Sequence, residues 1–106
     1  MKKETLLTEQ AKAFADTMPN ECQIEFKLIR NKLEETGRLV APYGEKVSGY
    51  DNLFAIRIKK GKNIRFFYCY DDGTYVWILN GYEKKSMMIP GKEIKKALNI
   101  KKELGL

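Results

Sequence analysis

The sequence predicts an α+β fold: two N-terminal helices packed on a small antiparallel sheet, closed by a C-terminal helix. Three observations predict it. Apolar residues recur at helical spacing over residues 5–36, three β-strands joined by tight turns read from 53 to 80, and helical spacing returns after Pro90. With 106 residues the chain is sized for one domain around a single hydrophobic core, spanning 1–106. An apolar share of 43% with 11% aromatics excludes disorder for most of its length.

Over residues 5–18, Leu7, Ala11, Phe14, Ala15 and Met18 fall on one face of an amphipathic helix, which Pro19 ends. Asn20 offers an N-cap oxygen to the next helix, and Gln23 three residues on completes a capping-box pattern. That second helix carries Cys22, Phe26, Ile29 and Leu33 on its apolar face and stops at Gly37, a C′ residue. Both apolar faces are assigned to packing. Residues 38–52 hold Pro42, Gly44 and Gly49 among mixed charges, and read as a loop of about fifteen residues without a phosphate-loop or metal pattern.

The strands from 53 to 80 permit a register argument, because pairing must put like faces together. A three-residue loop, Gly61-Lys62-Asn63, pairs Ile58 with Phe66, Ile56 with Tyr68 and Phe54 with Tyr70. Asp72-Gly73 is a two-residue type I′ turn signal, pairing Tyr70 with Tyr75, Tyr68 with Trp77 and Phe66 with Leu79. One face is then apolar and suited to the two helices. The other carries Ala55, Arg57 and Lys59, then Arg65, Phe67 and Cys69, then Val76, Ile78 and Asn80. This register sets Lys59 opposite Arg65 and Arg65 opposite Asn80. Like charges directly across strands cost up to ~1 kcal/mol. A cluster kept despite that penalty fits an anion shared between the side chains; a solvated face whose charges block edge association is the alternative.

After the third strand, Gly81-Tyr82-Glu83-Lys84-Lys85-Ser86 returns Tyr82, Lys84 and Lys85 toward Arg65. Residues 92–104 form a helix with Ile94, Ala97, Leu98 and Leu104 as an imperfect stripe, docked at the sheet margin.

Composition narrows the function classes. No run reaches the roughly 18 apolar residues of a membrane span. The N-terminal lysines precede no apolar signal region, so a cytoplasmic protein without a membrane role is expected. Cys22 and Cys69 lack metal-ligand spacing, and without a histidine in the chain neither is an activated nucleophile. No metal and no cofactor is expected. A net charge of +6 points to an anionic partner, nucleic acid first and an acidic protein segment second.

The ordered set Ile56-Arg57, Ile64-Arg65-Phe66-Phe67-Tyr68, Gly81-Tyr82-Glu83-Lys84-Lys85-Ser86, Pro90, Glu93-Ile94 and Ala97 is similar to the RelE/ParE toxin superfamily, specifically its HigB-like, phage-associated branch. The likeness covers about residues 24–100. It departs where the branch's histidine, glutamine and threonine are Asn80, Met87 and Ile89, and where its first strand has no clear counterpart beyond Thr5-Leu6-Leu7.

The resemblance implies a RelE-like fold and the toxin of a toxin–antitoxin pair that cuts mRNA on the ribosome. Its partners would be a cognate antitoxin protein and ribosome-bound mRNA. In such cleavage the ribose 2′-hydroxyl attacks the adjacent phosphorus, which needs charge on the phosphate oxygens and groups to take and return a proton. Carried onto this chain, Arg65 is the phosphate clamp, with Lys84, Lys85 and Tyr82 as proton-transfer groups or further phosphate contacts. Arg57, Lys59 and Asn80 would bind flanking RNA. Because Asn80 replaces the histidine, a non-cutting protein that binds antitoxin or nucleic acid stays open, as does a ParE-like gyrase inhibitor.

Overall fold

A computed structural model describes residues 2–60 and 62–106. Among them run β1 (Glu4–Leu7), α1 (Glu9–Asp16), α2 (Asn20–Thr36), β2 (Gly44–Lys46), β3 (Phe54–Ile58), β4 (Ile64–Asp71), β5 (Tyr75–Glu83) and α3 (Gly91–Glu103). The strands form one sheet in the order β1-β5-β4-β3-β2, antiparallel except that β1 runs parallel to β5. The α+β class and the three helices are as the sequence predicts, but the sheet gains a strand at each edge.

Both additions lie where periodicity is weakest. Thr5-Leu6-Leu7 is a strand and not the start of a helix: Thr8 caps α1, its hydroxyl accepting from the Ala11 N–H at 3.1 Å. At the other edge β2, three residues long, sits inside the segment that reads as a loop. The capping box at Asn20 does not form. Pro19 occupies the cap position without a side-chain bond, and Gln23 Nε2 donates to Met18 O at 3.0 Å.

The helices divide between the two faces. α1 and α2 lay Ala11, Cys22, Phe26, Ile29 and Leu33 on Ile56, Ile58, Ile64, Phe66, Tyr68, Val76 and Ile78. Phe66 is the centre of this core, stacked on Phe26 at 4.1 Å and meeting Phe14 edge-on at 5.6 Å. Truncating such a buried aromatic costs about 3–5 kcal/mol. The second face is not solvated. α3 lies across it and not at the margin, packing Ala97 and Ile100 onto Ala55, Phe67, Cys69, Leu79 and Tyr82.

Both hairpin registers differ from those the sequence suggests. β3 pairs with β4 through Ile58 opposite Ile64 and Arg57 opposite Arg65, so five residues, 59–63, separate the strands. The proposed turn residue Gly61 lies outside the described residues. α2 holds 59–60 out of the ladder: Glu25 Oε1 accepts from the Lys59 N–H at 2.8 Å, and the Cys22 thiol donates to Lys60 O at 2.9 Å. The shift is even, so the faces of β3 and β4 are those expected. The next turn has three residues, because Asp71 pairs with Tyr75 and the Asp72 carboxylate accepts from Thr74 N–H at 3.2 Å. That shift is odd. Val76 and Ile78 therefore join the core under α1 and α2, while Trp77 and Leu79 turn to the α3 side.

Candidate functional site

A β-bulge assembles the site. Tyr68 of β4 stands opposite Ile78, but Phe67 stands opposite Asn80, leaving Leu79 as an extra residue in β5. Without it, Asn80 and Tyr82 would follow Val76 and Ile78 to the α1/α2 side. With it, they share the face of Arg57 and Arg65, and Gly81 turns the other way. A Cβ on Gly81 would stand 2.7 Å from carbons of both Phe14 and Phe66, so only glycine fits there.

On this face Arg57 and Arg65 are directly opposed, and Arg65 is flanked on its other side by Tyr82. Arg65 is only 3% exposed. Its Nη1 donates to Asn63 Oδ1 at 2.6 Å, and its Nε lies 3.5 Å from Glu45 Oε1, an ion-pair distance without hydrogen-bond geometry. Among the described residues, the buried side-chain polar atoms without a hydrogen-bond partner are Arg57 Nε, Arg65 Nε, Asn80 Oδ1 and Tyr82 OH. All four belong to this one face. Buried polar groups are ordinarily satisfied, and each unmet one costs about 1–3 kcal/mol.

Burial lowers the pKa of Arg65, and the neighbouring Arg57 charge lowers it further, against the opposing pull of Glu45. A guanidinium does not give up its proton in a protein, so the result is a buried cation with open donor capacity. Burial raises the Tyr82 phenol, with the Arg65 charge opposing, and the ring keeps its proton at neutral pH. Tyr82 is thus a donor and not a base.

Of the residues singled out from sequence, Arg57, Arg65, Asn80 and Tyr82 come together on one face. Arg57, not Lys59, opposes Arg65, and Tyr82, not Asn80, flanks it. Lys59 lies in the β3–β4 turn, exposed. Lys84 is half-buried beside the start of β4, its N–H donating to Asn63 O at 2.7 Å, and Lys85 is exposed. Glu45 is the residue that sequence reasoning misses. Three paired residues are too few to show an alternation, and the hydrogen bond from Arg57 N–H to Tyr43 O at 2.9 Å that seats this edge is a tertiary contact. Asn80 Nδ2 donates to Glu93 O of α3 at 3.3 Å. No group of three or more His, Cys, Asp or Glu able to hold a metal ion occurs among the described residues.

The family of proteins described as phage derived protein Gp49-like matches residues 13–102, most of the chain. The chain belongs to this family. Its fold is similar to that of an arginine double mutant of E. coli toxin RelE in the free state, with a TM-score of 0.74 at 15% identity, covering 93% of this chain and 97% of that one. It is also similar to the intact E. coli RelBE toxin–antitoxin complex (TM-score 0.66, 15% identity, 79% and 99% covered). A third likeness is to the archaeal RelE–RelB complex from Pyrococcus horikoshii OT3 (0.62, 19%, 78% and 96%). No curated protein gives a significant match. Family and fold together describe a Gp49-like chain with a RelE-like fold. Among the described residues, no helix of this Gp49-like protein is long and apolar enough to cross a membrane.

Proposed function

We propose that the chain is the toxin of a toxin–antitoxin pair, of the HigB-like branch, and that it cuts ribosome-bound mRNA in the cytoplasm without a metal. The observation that carries this reading is the set of unmet donors on Arg57, Arg65 and Tyr82 at one end of a rigid sheet. A phosphodiester would accept from all three, and planar guanidinium forks suit its paired oxygens. The Glu45 carboxylate beside Arg65 takes the proton of the ribose 2′-hydroxyl. The 2′-oxygen attacks phosphorus, the bond to the 5′-oxygen breaks, and the 5′-oxygen leaves with a proton from Tyr82, Lys84 or Lys85. The products are a 2′,3′-cyclic phosphate and a 5′-hydroxyl strand. Lys59 and Lys85, both exposed, hold flanking phosphates. A cognate antitoxin restrains the protein; RelE in two of the similar structures is bound to RelB.

Purified protein is incubated with ribosomes and a defined message. Cutting that is lost in Arg65→Ala supports the reading. Intact message at excess protein sinks it. A second reading has its own observation: Arg65 is almost fully buried and already faces Glu45, as in a protein that binds without cutting. Antitoxin binding with intact message selects it, and inhibition of gyrase supercoiling with intact message selects the ParE-like alternative.

A further inference from the structure

α2 is apolar on two sides, and the fold uses only one of them. Cys22, Phe26, Ile29 and Leu33 are buried against the sheet. Ile24 and Leu28, one turn apart on the outer side, are each 63% exposed. A lone exposed leucine needs no explanation, but these two continue into Tyr43 and Val40, 44% and 60% exposed, which precede β2. Three shallow grooves of about 160, 270 and 260 Å³ follow one another along this strip, from Glu21 and Lys60 past Leu28 and Tyr43 to Arg38 and Val40. Each is smaller than the roughly 300–1,000 Å³ of small-molecule sites, so the strip suits a partner's surface and not a small ligand.

The charges along the strip select the partner. Glu21 lies one turn before Ile24 and Lys32 one turn after Leu28, so the outer side of α2 reads acid, apolar, apolar, base. Among the described residues neither Glu21 nor Lys32 has an ion-pair partner, and the Lys32 ammonium lies over the Tyr43 ring at 5.8 Å. This order is self-complementary. The midpoint of Ile24 and Leu28 coincides with that of Glu21 and Lys32 to about half a residue, well under one turn of helix. A second α2 laid antiparallel about a two-fold axis at that point sets Ile24 on Leu28 and Glu21 on Lys32, each of them twice. A parallel alignment loses both ion pairs. Glu25, the acid nearest the axis, already accepts from the Lys59 N–H at 2.8 Å and shares its groove with Lys60. Glu35 falls beyond the end of the facing helix.

We propose that the outer side of α2 is the interface of a homodimer, its occupant a second copy of the same chain. Two signs of charge at opposite ends of an apolar stripe give little to a polyanion or to a uniformly acidic segment, but they match their own image. The interface lies on the α1/α2 side of the sheet, and Arg65 faces the α3 side, so both copies keep the arginine face open. The pairing therefore stands whether or not the protein cuts RNA.

Analytical ultracentrifugation of the full chain over a dilution series tests it. The wild type is expected to pass from monomer to dimer as concentration rises, and Leu28→Glu to stay monomeric with an unchanged circular dichroism spectrum. Glu21→Lys and Lys32→Glu should each weaken the dimer by about tenfold or more, because the symmetry turns both ion pairs repulsive at once. An equimolar mixture of these two variants should recover the dimer, since every facing pair is then of opposite sign. A wild type that is monomeric at every concentration overturns the proposal and leaves the strip to a different protein. A dimer that survives Leu28→Glu assembles through another face and overturns it too, as does a mixture no tighter than its components.

Discussion

Two arginines lie on opposite sides of the sheet, Arg30 on α2 and the buried Arg65 on β4, and have opposite surroundings. Arg30 of α2 donates from Nε and Nη2 to Thr5 Oγ1 at 3.2 and 3.1 Å, and the Thr5 hydroxyl donates in turn to Glu34 Oε2 at 2.8 Å. Its guanidinium also lies 5.4 Å from the Phe26 ring. Burial lowers its pKa, but the Glu34 charge opposes that, and the network ties β1 to α2. Arg65 has the reverse: a second cation opposite, an unmet Nε and a single carboxylate at ion-pair distance. A charge network that is complete holds a fold together. One that is incomplete is held by the fold, and its open valences are available to a ligand.

Exchanging the roles of the two arginines is the sharpest way to break that comparison. Arg65→Ala should lower message cutting by on the order of 10²–10³-fold while leaving the melting temperature unchanged or higher, since it removes a buried cation opposed to Arg57. Arg30→Ala should do the opposite, keeping cutting near wild type and losing about 1–3 kcal/mol of stability in urea unfolding. Equal loss of activity in both would erase the distinction. Glu45→Gln is expected to reduce cutting by on the order of 10²-fold, with stability little changed.

Smaller effects probe the walls between the two regions. Gly81→Ala forces a methyl against Phe14 and Phe66 and should destabilise by about 1–3 kcal/mol, lowering the thermal midpoint of the whole chain. Cys69 in the α3-side core is the least dramatic. Burial raises its thiol from 9.0 to about 11, with the Lys101 charge opposing and Asp71 adding to the rise. The folded state therefore keeps this proton longer than the unfolded chain does. Its contribution is full below about pH 9 and is lost as pH rises through about 11, so urea midpoints should fall across that window and hold in Cys69→Ala.

Much of the fold is legible in local pattern. The buried face of α2, Cys22, Phe26, Ile29 and Leu33, follows directly from helical spacing, and Gly37 ends the helix in the left-handed region at φ 83°. Arg65 is legible as a central site residue, because the next two odd positions of its strand, Phe67 and Cys69, are apolar. Three features are not. β1 and β2 have four and three residues, too few for a period to emerge, and exist because a neighbouring strand offers them partners. The side of the sheet taken by α3 depends on a face that reads as half charged, although its apolar half is enough to bury a helix.

The bulge at Leu79 marks the boundary. The aromatic and β-branched run from Tyr75 to Leu79 is a property of the sequence, and it dictates that a strand forms there. Which side of the sheet Asn80 and Tyr82 occupy depends on the number of turn residues before them and on one unpaired residue within the strand. The first rests on a local Asx bond in which Thr74 N–H donates to Asp72 Oδ1, the second on the fit of Gly81 beneath Phe14 and Phe66. The residue types of the site were determined by sequence alone. Their meeting on one face was decided by the tertiary structure, because a strand's period of two turns every side chain to the other side for each residue gained or lost.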